Sequence, residues 1–330
     1  MPERMINTLL LIIGILILLK GADYLVKGSS SLAKKIGVPS LAIGLTLLAF
    51  GTSMPELIVN IVAAIKGNEN IAFGNVIGSN IANILLVIGT AALITNLKVK
   101  PSTTWIEIPI SFLAVCVLFI FAHTLALGGY NKHVDRIEGI ILIIFFILFI
   151  YYVFKLAKKK KVKLEEEIKI EKLSYKTIIL MIVLGIAGLY FGGKWTVEGA
   201  IGLARLVGIS EYFISLTIVA IGTSLPELIT SIVAALRKEA DLVLGNVVGS
   251  NVFNVFLVLG ISSIIIPIRM PTFAIIDLIF LLIITLLLIA FIYLGKKHEI
   301  VRWQGVFFIM AYFLYLIYLV SRRSYLKFLL

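Results

Sequence analysis

Residues 46–90 read TLLAFGTSMPELIVNIVAAIKGNENIAFGNVIGSNIANILLVIGT, and residues 217–261 read TIVAIGTSLPELITSIVAALRKEADLVLGNVVGSNVFNVFLVLGI. Aligned at a constant offset of 171, the two stretches need no gap and share 23 identities in 45 positions. An agreement of this length indicates an internal duplication. Each copy also places one glutamate, Glu56 or Glu227, inside a long apolar stretch, so the duplication decides both the fold and the place to look for a function.

The composition places the chain in a lipid bilayer. Of its 330 residues, 60% are hydrophobic and only 15% are charged, and the mean hydropathy is +1.09, far from the balance of a water-soluble domain. A net charge of +12 would suit a nucleic-acid partner, but nine of the basic residues lie between Lys155 and Lys176, directly beside an apolar stretch. That placement is typical of a cytoplasmic loop, so we expect lipid and no nucleic acid as partner. The single cysteine, Cys116, excludes an intramolecular disulfide.

The apolar stretches predict an all-α membrane protein with ten transmembrane helices. A span needs about 20 apolar residues, and runs of that kind cover 5 to 26, 39 to 66, 70 to 95, 104 to 127, 135 to 156, 174 to 199, 210 to 237, 241 to 267, 271 to 294 and 299 to 320. A charged linker over 157–173 divides them into two five-helix repeats, 1–156 and 174–330. Because five is odd, the second repeat crosses the membrane in the opposite sense, which predicts an inverted repeat with broken helices in spans 2, 3, 7 and 8.

The distribution of lysine and arginine predicts the orientation in the cell membrane. With the N-terminus outside, the inner loops and flanks hold 19 of these residues and the outer ones hold 10. The sequence therefore favours two extracellular termini and a cytoplasmic linker. The preference rests on the linker, because without it the two sides are equal, and Arg322, Arg323 and Lys327 argue the other way.

The two repeated glutamates are the candidate functional residues. Glu56 and Glu227 fall near the middle of spans 2 and 7, where a charged side chain costs about 2.5 to 3.5 kcal/mol on insertion scales. A protonated glutamate, or one paired with a structural lysine, is the alternative. Spans 2, 3, 7 and 8 contain no mid-helix Lys or Arg, and the same residue occupies the same position twice, which favours a functional role.

A proline precedes each glutamate, in GTSMPE (51–56) and GTSLPE (222–227). Proline inside a helix frees the carbonyl four residues earlier, here that of Gly51 or Gly222. Freed carbonyls at this depth must pack against protein or line a polar cavity. A kink for packing alone remains the alternative, but two kinks that each adjoin a glutamate favour a polar site.

The second repeated motif, GNVIGSN (74–80) and GNVVGSN (245–251), adds glycines and neutral oxygens. The glycines at 74, 78, 245 and 249 are typical of close helix packing. For the side chains of Ser79, Asn80, Asn83, Ser250, Asn251 and Asn254, helix-to-helix hydrogen bonds and ion coordination are equally compatible with the spacing. An all-oxygen set without His or Cys suits Ca2+ or Na+ rather than zinc or copper. Two carboxylates would neutralise one Ca2+, whereas three Na+ would exceed their charge by one, so a three-for-one exchange would be electrogenic.

These paired motifs resemble the alpha repeats of the calcium/cation antiporter superfamily, specifically those of prokaryotic sodium/calcium exchangers. The resemblance implies four ion sites between spans 2, 3, 7 and 8, with spans 1 and 6 sliding to alternate access. It assigns as ligands Glu56, Glu227, Thr52, Ser53, Thr223, Ser224, Ala49, Ala220, Ser79, Ser250, Asn83 and Asn254. Some members, including potassium-dependent ones, carry Asp where this chain has Asn254, which argues against potassium co-transport and puts proton involvement at that position in doubt.

The expected function is sodium/calcium antiport by alternating access, with Na+ and Ca2+ as transported ions and no cofactor. Sodium is favoured by the resemblance and not by the spacing. Proton/calcium antiport and a calcium channel remain open alternatives. An intramembrane enzyme using Ser53 or Ser224 is disfavoured, because no mid-membrane His or Lys is available as its base. Oligomeric state is left open by the sequence.

Overall fold

The protein is described by a computed structural model that covers residues 2–67, 69–101, 103–124, 133–159, 173–208, 220–270, 274–293 and 298–329. Within these residues the chain is almost entirely helical. The helices are α1 (Pro2–Ile36), α2 (Ser40–Thr52), α3 (Met54–Ile65), α4 (69–94), α5 (103–124), α6 (Arg136–Lys159), α7 (Tyr175–Leu206), α8 (Ala220–Thr223), α9 (Leu225–Leu236), α10 (Ala240–Ile265), α11 (Ala274–Tyr293) and α12 (Arg302–Leu329).

The described helices agree with a multi-pass membrane protein. Eight of them are long and apolar enough to cross a bilayer, and the bent pair α2 and α3 raises the number to nine if it counts as one span. The predicted seventh span, 210 to 237, begins in residues outside the described range and reappears as the short helices α8 and α9. The predicted linker, 157–173, also lies almost entirely outside the described residues. The predicted all-helical membrane fold is confirmed.

Two helices break next to the repeated prolines, as predicted. Between α2 and α3 the chain bends by 47°, and the residue at the break, Ser53, has φ −86° and ψ 7°. Ser224 stands between α8 and α9 with φ −88° and ψ 5°. In both cases the proline occupies the first turn of the new helix, where its missing N–H costs nothing. The two breaks therefore have nearly the same backbone geometry.

The predicted breaks in spans 3 and 8 take a different form. Helices α4 and α10 run on without interruption but contain π-helical segments, Asn83–Ile88 and Phe253–Leu259. A π-helical segment widens the helix locally and shifts the backbone hydrogen bonds by one residue. Each segment begins at or one residue before a repeated asparagine, Asn83 in α4 and Asn254 in α10. A third π-helical segment, Gly44–Leu48, lies in α2.

Helices α1 and α7 pack against each other along most of their length in opposite directions. A Cβ atom built at Gly14 would lie 2.5 Å from the backbone nitrogen of Thr196, and one built at Gly21 would lie 2.7 Å from that of Leu189. Two helical turns further along α1, Gly28 faces Ile182. Glycines spaced by seven residues keep one face of α1 free of side chains, so the two backbones come into direct contact.

Helix α10 forms the centre of the molecule, and α6 lies at its periphery. Of the span in α10, 94% is buried, compared with 17% in α6. A Cβ atom at Gly245 would lie 2.8 Å from Cα of Gly44, and one at Gly249 would lie 2.7 Å from Cβ of Ala49. The predicted close approach is therefore confirmed for these two glycines. Their counterparts Gly74 and Gly78 have no described atom within 4 Å of such a Cβ, and the matching segment 212–220 lies almost wholly outside the described residues.

Two short antiparallel strand pairs, which the sequence did not predict, connect helix ends. The first pair joins β1 (Leu97–Lys98), which follows α4, to β4 (Glu299–Ile300), which precedes α12. The second joins β2 (His133–Val134), which precedes α6, to β3 (Ile268–Arg269), which follows α10. Each pair thus links the end of a central helix to the start of the last helix in the opposite half.

Candidate cation site

The two repeated glutamates lie in the first turn of the helices that follow the breaks. Glu56 belongs to the first turn of α3 and Glu227 to that of α9. Their side chains are 0% and 1% exposed, although both are carboxylates. A helix N-terminus carries a partial positive charge that stabilises a nearby carboxylate. The two breaks therefore explain how the chain keeps two acidic groups inside an apolar core.

The carboxylate of Glu227 is held by serines from other helices. Ser53 Oγ, at the break of the first half, donates to Glu227 Oε1 at 2.9 Å. Ser250 Oγ, on α10, donates to the same oxygen at 3.5 Å. Thr52 Oγ1 lies 3.4 Å from Ser250 Oγ and donates to Asn246 Oδ1 at 3.0 Å. These contacts bring residues 52 and 53 to the second glutamate across more than half of the sequence.

Glu56 and several neighbouring oxygens have no hydrogen-bond partner within the described part of the chain. Glu56 lies close enough to Glu227 for the two carboxylates to interact electrostatically, and Ser79 is also nearby. Seven unpartnered buried oxygens belong to the predicted ligands: Glu56 Oε1 and Oε2, Glu227 Oε2, Ser79 Oγ, Ser224 Oγ, Asn83 Oδ1 and Asn254 Oδ1. A buried polar group without a partner is costly. Seven such oxygens among the predicted ligands indicate a site for a cation, which their lone pairs would coordinate.

Reciprocal asparagine contacts join α4 to α10. Asn83 Nδ2 donates to Asn251 Oδ1 at 3.0 Å, and Asn254 Nδ2 donates to Asn80 Oδ1 at 3.1 Å. At the offset of 171 these are the same contact made in both directions. Asn80 Nδ2 also donates to the carbonyl of Asn251 at 3.2 Å. The amide nitrogens of Asn83 and Asn254 are thus used between helices, whereas their amide oxygens have no hydrogen-bond partner among the described residues.

The other predicted ligands occupy compatible positions. Ala49 is buried in the last turn of α2, where its carbonyl accepts hydrogen bonds from Ser53 N at 3.0 Å and from Thr52 Oγ1 at 3.4 Å. Thr223 is half-buried at the end of α8, next to the break at Ser224. Ala220 begins α8, and only its backbone is described. Both alanine carbonyls thus belong to short helical segments that end just before a glutamate.

Sequence reasoning missed a set of polar residues that hold the site together. Asn246 Nδ2 donates to Ser231 Oγ at 3.1 Å, and in the first half Asn75 Nδ2 donates to Asn60 Oδ1 at 2.7 Å. The signal was present, because Asn75 and Asn246 are the second residue of both repeated GN motifs, and Asn246 is one turn before Ser250. Thr230, one turn after Glu227, is buried, and its hydroxyl has no hydrogen-bond partner within the described ranges. Its counterpart in the first half is Val59, so the repeat gave no sign of it.

Comparison with known proteins shows the family to which the chain belongs. The family model described as sodium/calcium exchanger protein matches residues 6–155 and 177–321. The sodium/calcium exchanger MaX1 of Methanosarcina acetivorans is 34% identical over 308 residues, which cover 81% of this chain and 85% of that protein. The chain belongs to the sodium/calcium exchanger family.

Other comparisons place this exchanger-family chain among membrane proteins of the same fold. The structure of the sodium/calcium exchanger from Methanococcus jannaschii matches with a TM-score of 0.81 and 30% identity, covering 95% of this chain and 98% of that chain. The inner membrane protein YrbG of Escherichia coli is 33% identical over 223 residues, 66% of each chain. The chain is a multi-pass membrane antiporter, and the resemblance read from the repeated motifs is confirmed.

The donor atoms of the candidate site are of the types that bind hard cations. Among the described residues no group of three or more His, Cys, Asp or Glu is present that would hold a transition metal. The candidate site instead combines two carboxylates with hydroxyl, amide and carbonyl oxygens, the donor set of hard cations. A cation bound there would neutralise both glutamates and fill the vacant acceptor positions in one step. The arrangement is suited to reversible binding of a cargo ion.

Proposed function

We propose that the chain exchanges Na+ for Ca2+ across the membrane by alternating access. The observation that supports this proposal is a set of seven buried oxygens without a hydrogen-bond partner among the described residues, which belong to Glu56, Glu227, Ser79, Ser224, Asn83 and Asn254. Ca2+ binds oxygen ligands from carboxylates, hydroxyls and carbonyls. The printed names of the family and of the relatives MaX1 and the exchanger from Methanococcus jannaschii join sodium to calcium, which favours Na+ as the counter-ion.

The proposed ligands are the residues that the motifs predicted. Glu56 and Glu227 hold Ca2+, and neutral oxygens complete the coordination of Ca2+ or Na+. These neutral donors are the side chains or carbonyls of Thr52, Ser53, Thr223, Ser224, Ala49, Ala220, Ser79, Ser250, Asn83 and Asn254. Both ions need the same two carboxylates, whose combined charge of −2 is neutralised by one Ca2+. Ca2+ and a full set of Na+ ions therefore cannot occupy the site together. Competition for one set of oxygens is what couples the two fluxes.

We also propose that the molecule is an inverted repeat of ten spans, with halves 1–156 and 174–330 joined by the linker 157–173. Three observations support it: the separate matches of the family model to 6–155 and 177–321, the reciprocal asparagine contacts, and the strand pairs that link opposite halves. The excess of basic residues in the linker supports a cytoplasmic linker and extracellular termini.

The counter-ion is tested in proteoliposomes. Purified full-length protein is reconstituted, and uptake of radioactive Ca2+ is measured with an outward Na+ gradient at equal, strongly buffered pH on both sides. We expect uptake that needs internal Na+ and saturates with external Ca2+. Uptake driven by a pH gradient without Na+ would instead establish a proton-coupled antiporter, and flux without any counter-ion would establish a channel.

The same vesicles test the two carboxylates. Glu56→Gln and Glu227→Gln each keep the size of the side chain but remove a charge, so we expect both to abolish Na+-driven Ca2+ uptake. Glu198→Gln serves as the matched control, because Glu198 is half-exposed and pairs with Lys194 at 3.9 Å. Normal uptake by both site variants would overturn the proposed ligands.

A further inference from the structure

The hydroxyl group of Thr52, a predicted ligand, lies near more acceptors than it can serve. Its oxygen is 3.0 Å from Asn246 Oδ1 and 3.4 Å from the carbonyl of Ala49, and it also lies beside the carboxylate of Glu227. A hydroxyl group has one proton and two lone pairs. A proton directed at Glu227 would occupy an acceptor position of that carboxylate, whereas a proton directed elsewhere leaves it free. The direction of this proton therefore affects how well the site binds a cation.

The side-chain amide of Asn246 fixes the direction of the Thr52 proton. Its nitrogen, Nδ2, donates to Ser231 Oγ at 3.1 Å and to the backbone carbonyl of Glu227 at 3.4 Å. A carbonyl can only accept, so the amide nitrogen faces Glu227 and the amide oxygen faces Thr52. Because the amide oxygen can also only accept, Thr52 is the donor of this contact. Asn246 is fully buried, which excludes bulk water as a competing partner.

The first half orients the corresponding amide in the same way with a different set of residues. At the offset of 171, Asn75 takes the place of Asn246. Its Nδ2 donates to Oδ1 of Asn60, the counterpart of Ser231, at 2.7 Å. Asn60 Nδ2 in turn donates to the carbonyl of Ala72 at 2.9 Å, so a backbone carbonyl again sets the direction. Two different arrangements that give one polarity indicate that the polarity matters to the site.

We propose that Asn246 is a positioning residue that draws the proton of Thr52 away from Glu227, so that the Thr52 oxygen presents a lone pair to the bound cation. The inference rests on the proposed function and adds to it a residue outside the predicted ligand set. Lone pairs coordinate a cation, whereas a hydroxyl proton directed at it would repel it. Without the amide oxygen, Thr52 would donate to the Glu227 carboxylate in a charge-assisted hydrogen bond, which must break before a cation binds. Asn246 thereby favours the cation without touching it.

A double-mutant cycle in Ca2+ binding tests this role. Ca2+ affinity is measured by isothermal titration calorimetry on the purified full-length protein in detergent, for the wild type, Asn246→Leu, Thr52→Val and the double variant. Leucine and valine keep the approximate shape of asparagine and threonine but remove their polar groups. We expect Asn246→Leu to weaken Ca2+ binding about tenfold in the wild type and less than about twofold beside Thr52→Val, because residues that act through one another are not additive. Equal weakening in both backgrounds would show a merely structural residue and overturn the proposal.

Two further variants separate the amide oxygen from the rest of the network. Asn246→Asp keeps an oxygen that accepts from Thr52, and its protonated form also keeps a donor toward the carbonyl of Glu227, so its Ca2+ affinity should not fall more than about threefold below that of the wild type. Ser231→Ala removes a neighbour of the amide nitrogen but leaves that carbonyl in place, so it should weaken Ca2+ binding less than Asn246→Leu does. Binding by either variant as weak as that of Asn246→Leu would contradict the proposal.

Folding and the proposed function are controlled separately. Melting temperatures without ions show whether each variant is folded, and Asn246→Ala replaces Asn246→Leu in the cycle if the leucine side chain prevents folding. A wild type that binds neither Ca2+ nor Na+ would overturn the proposed function and this inference with it. A wild type that binds Ca2+, together with additive effects of the two substitutions, would overturn the inference alone.

Discussion

Glu56 and Glu227 occupy the same position of the repeat but have different surroundings. Glu227 accepts hydrogen bonds from Ser53 and Ser250, whereas neither carboxylate oxygen of Glu56 has a partner in the described part of the chain. The equivalent serines for Glu56 are Ser224 and Ser79, and neither of these buried hydroxyls has a hydrogen-bond partner among the residues that the structure describes. The site is thus asymmetric in this conformation: within the described residues, more oxygen atoms lack a hydrogen-bond partner around Glu56 than around Glu227.

This asymmetry predicts different effects of two equivalent serine substitutions on stability. Without ions, Ser53→Ala leaves a buried oxygen of Glu227 without one of its two donors, which should cost about 1 to 3 kcal/mol in the free energy of unfolding. Ser224→Ala removes a hydroxyl that has no hydrogen-bond partner in the described segments, and it should cost much less. Thermal unfolding of the detergent-solubilised variants in the absence of Na+ and Ca2+ measures the difference.

Ca2+ binding by the same two serine variants provides a control. If both hydroxyls coordinate an ion, both variants should bind Ca2+ more weakly than the wild type, whichever serine matters for the empty protein. Equal melting temperatures of the two variants without ions would contradict the asymmetry. An unchanged Ca2+ affinity in both would remove these serines from the ligand set.

The sequence identified the charged centre of the site but not the side chains that hold it. A glutamate after a proline in an apolar run is visible because charge in lipid is rare. The contacts of Thr52 with Asn246 and of Ser53 with Glu227 join residues 194 and 174 positions apart. Such contacts depend on the crossing of two helices, which no local periodicity encodes.

At the level of helices, the α1 and α7 pair is joined by backbone contact and therefore tolerates little extra volume. Gly192 and Gly193 are neighbours on α7 but face different surroundings. A Cβ atom at Gly192 would lie 2.5 Å from the backbone nitrogen of Leu18, whereas the nearest atom to one at Gly193 is 3.7 Å away. The first residue is in the helix contact, and the second is beside it.

Alanine substitutions at these two glycines should therefore differ in effect. Gly192→Ala forces two backbones apart, and we expect it to destabilise the protein by about 1 to 3 kcal/mol, as overpacking does. Gly193→Ala gains the same helix propensity without a clash and should be neutral or stabilising. Melting temperatures in detergent compare them, and similar values for both variants would argue against backbone contact between α1 and α7.

The sequence predicted where helices break more reliably than where they widen. Proline lacks an N–H, so GTSMPE and GTSLPE mark the breaks, which the structure places at Ser53 and Ser224, two residues before the prolines. The π-helical segment Asn83–Ile88 has the sequence NILLVI, without Gly or Pro. No residue type marks a π-helical segment, and the polar contacts of Asn83 that accompany it come from a distant helix.

At the level of the whole molecule, the vacant oxygens predict that bound ions stabilise the fold. A ligand that binds only the folded state adds about 2.7 kcal/mol at a concentration 100 times its dissociation constant. We expect Ca2+, and separately Na+, to raise the melting temperature of the wild type in proportion to the logarithm of concentration. Choline chloride at equal ionic strength is the control. The rise with Ca2+ should be lost in Glu56→Gln, and an equal rise in that variant would place Ca2+ elsewhere.

The inverted repeat predicts that equivalent residues emerge on opposite sides of the membrane. Lys66 ends α3 and Arg237 ends α9, at the offset of 171, with the same dihedral angles of φ −84° and ψ 1°. A single cysteine is introduced at either position after Cys116→Ser, and labelling by a membrane-impermeant maleimide is measured in intact and permeabilised cells. Losing the exposed Arg237 contact with Asp23 should cost little stability, since surface ion pairs contribute weakly.

With extracellular termini, Lys66→Cys is labelled from outside, and Arg237→Cys is labelled only after permeabilisation. Reversal of both results would invert the orientation but keep the repeat, whereas labelling of both from the same side would rule out the odd number of crossings between them.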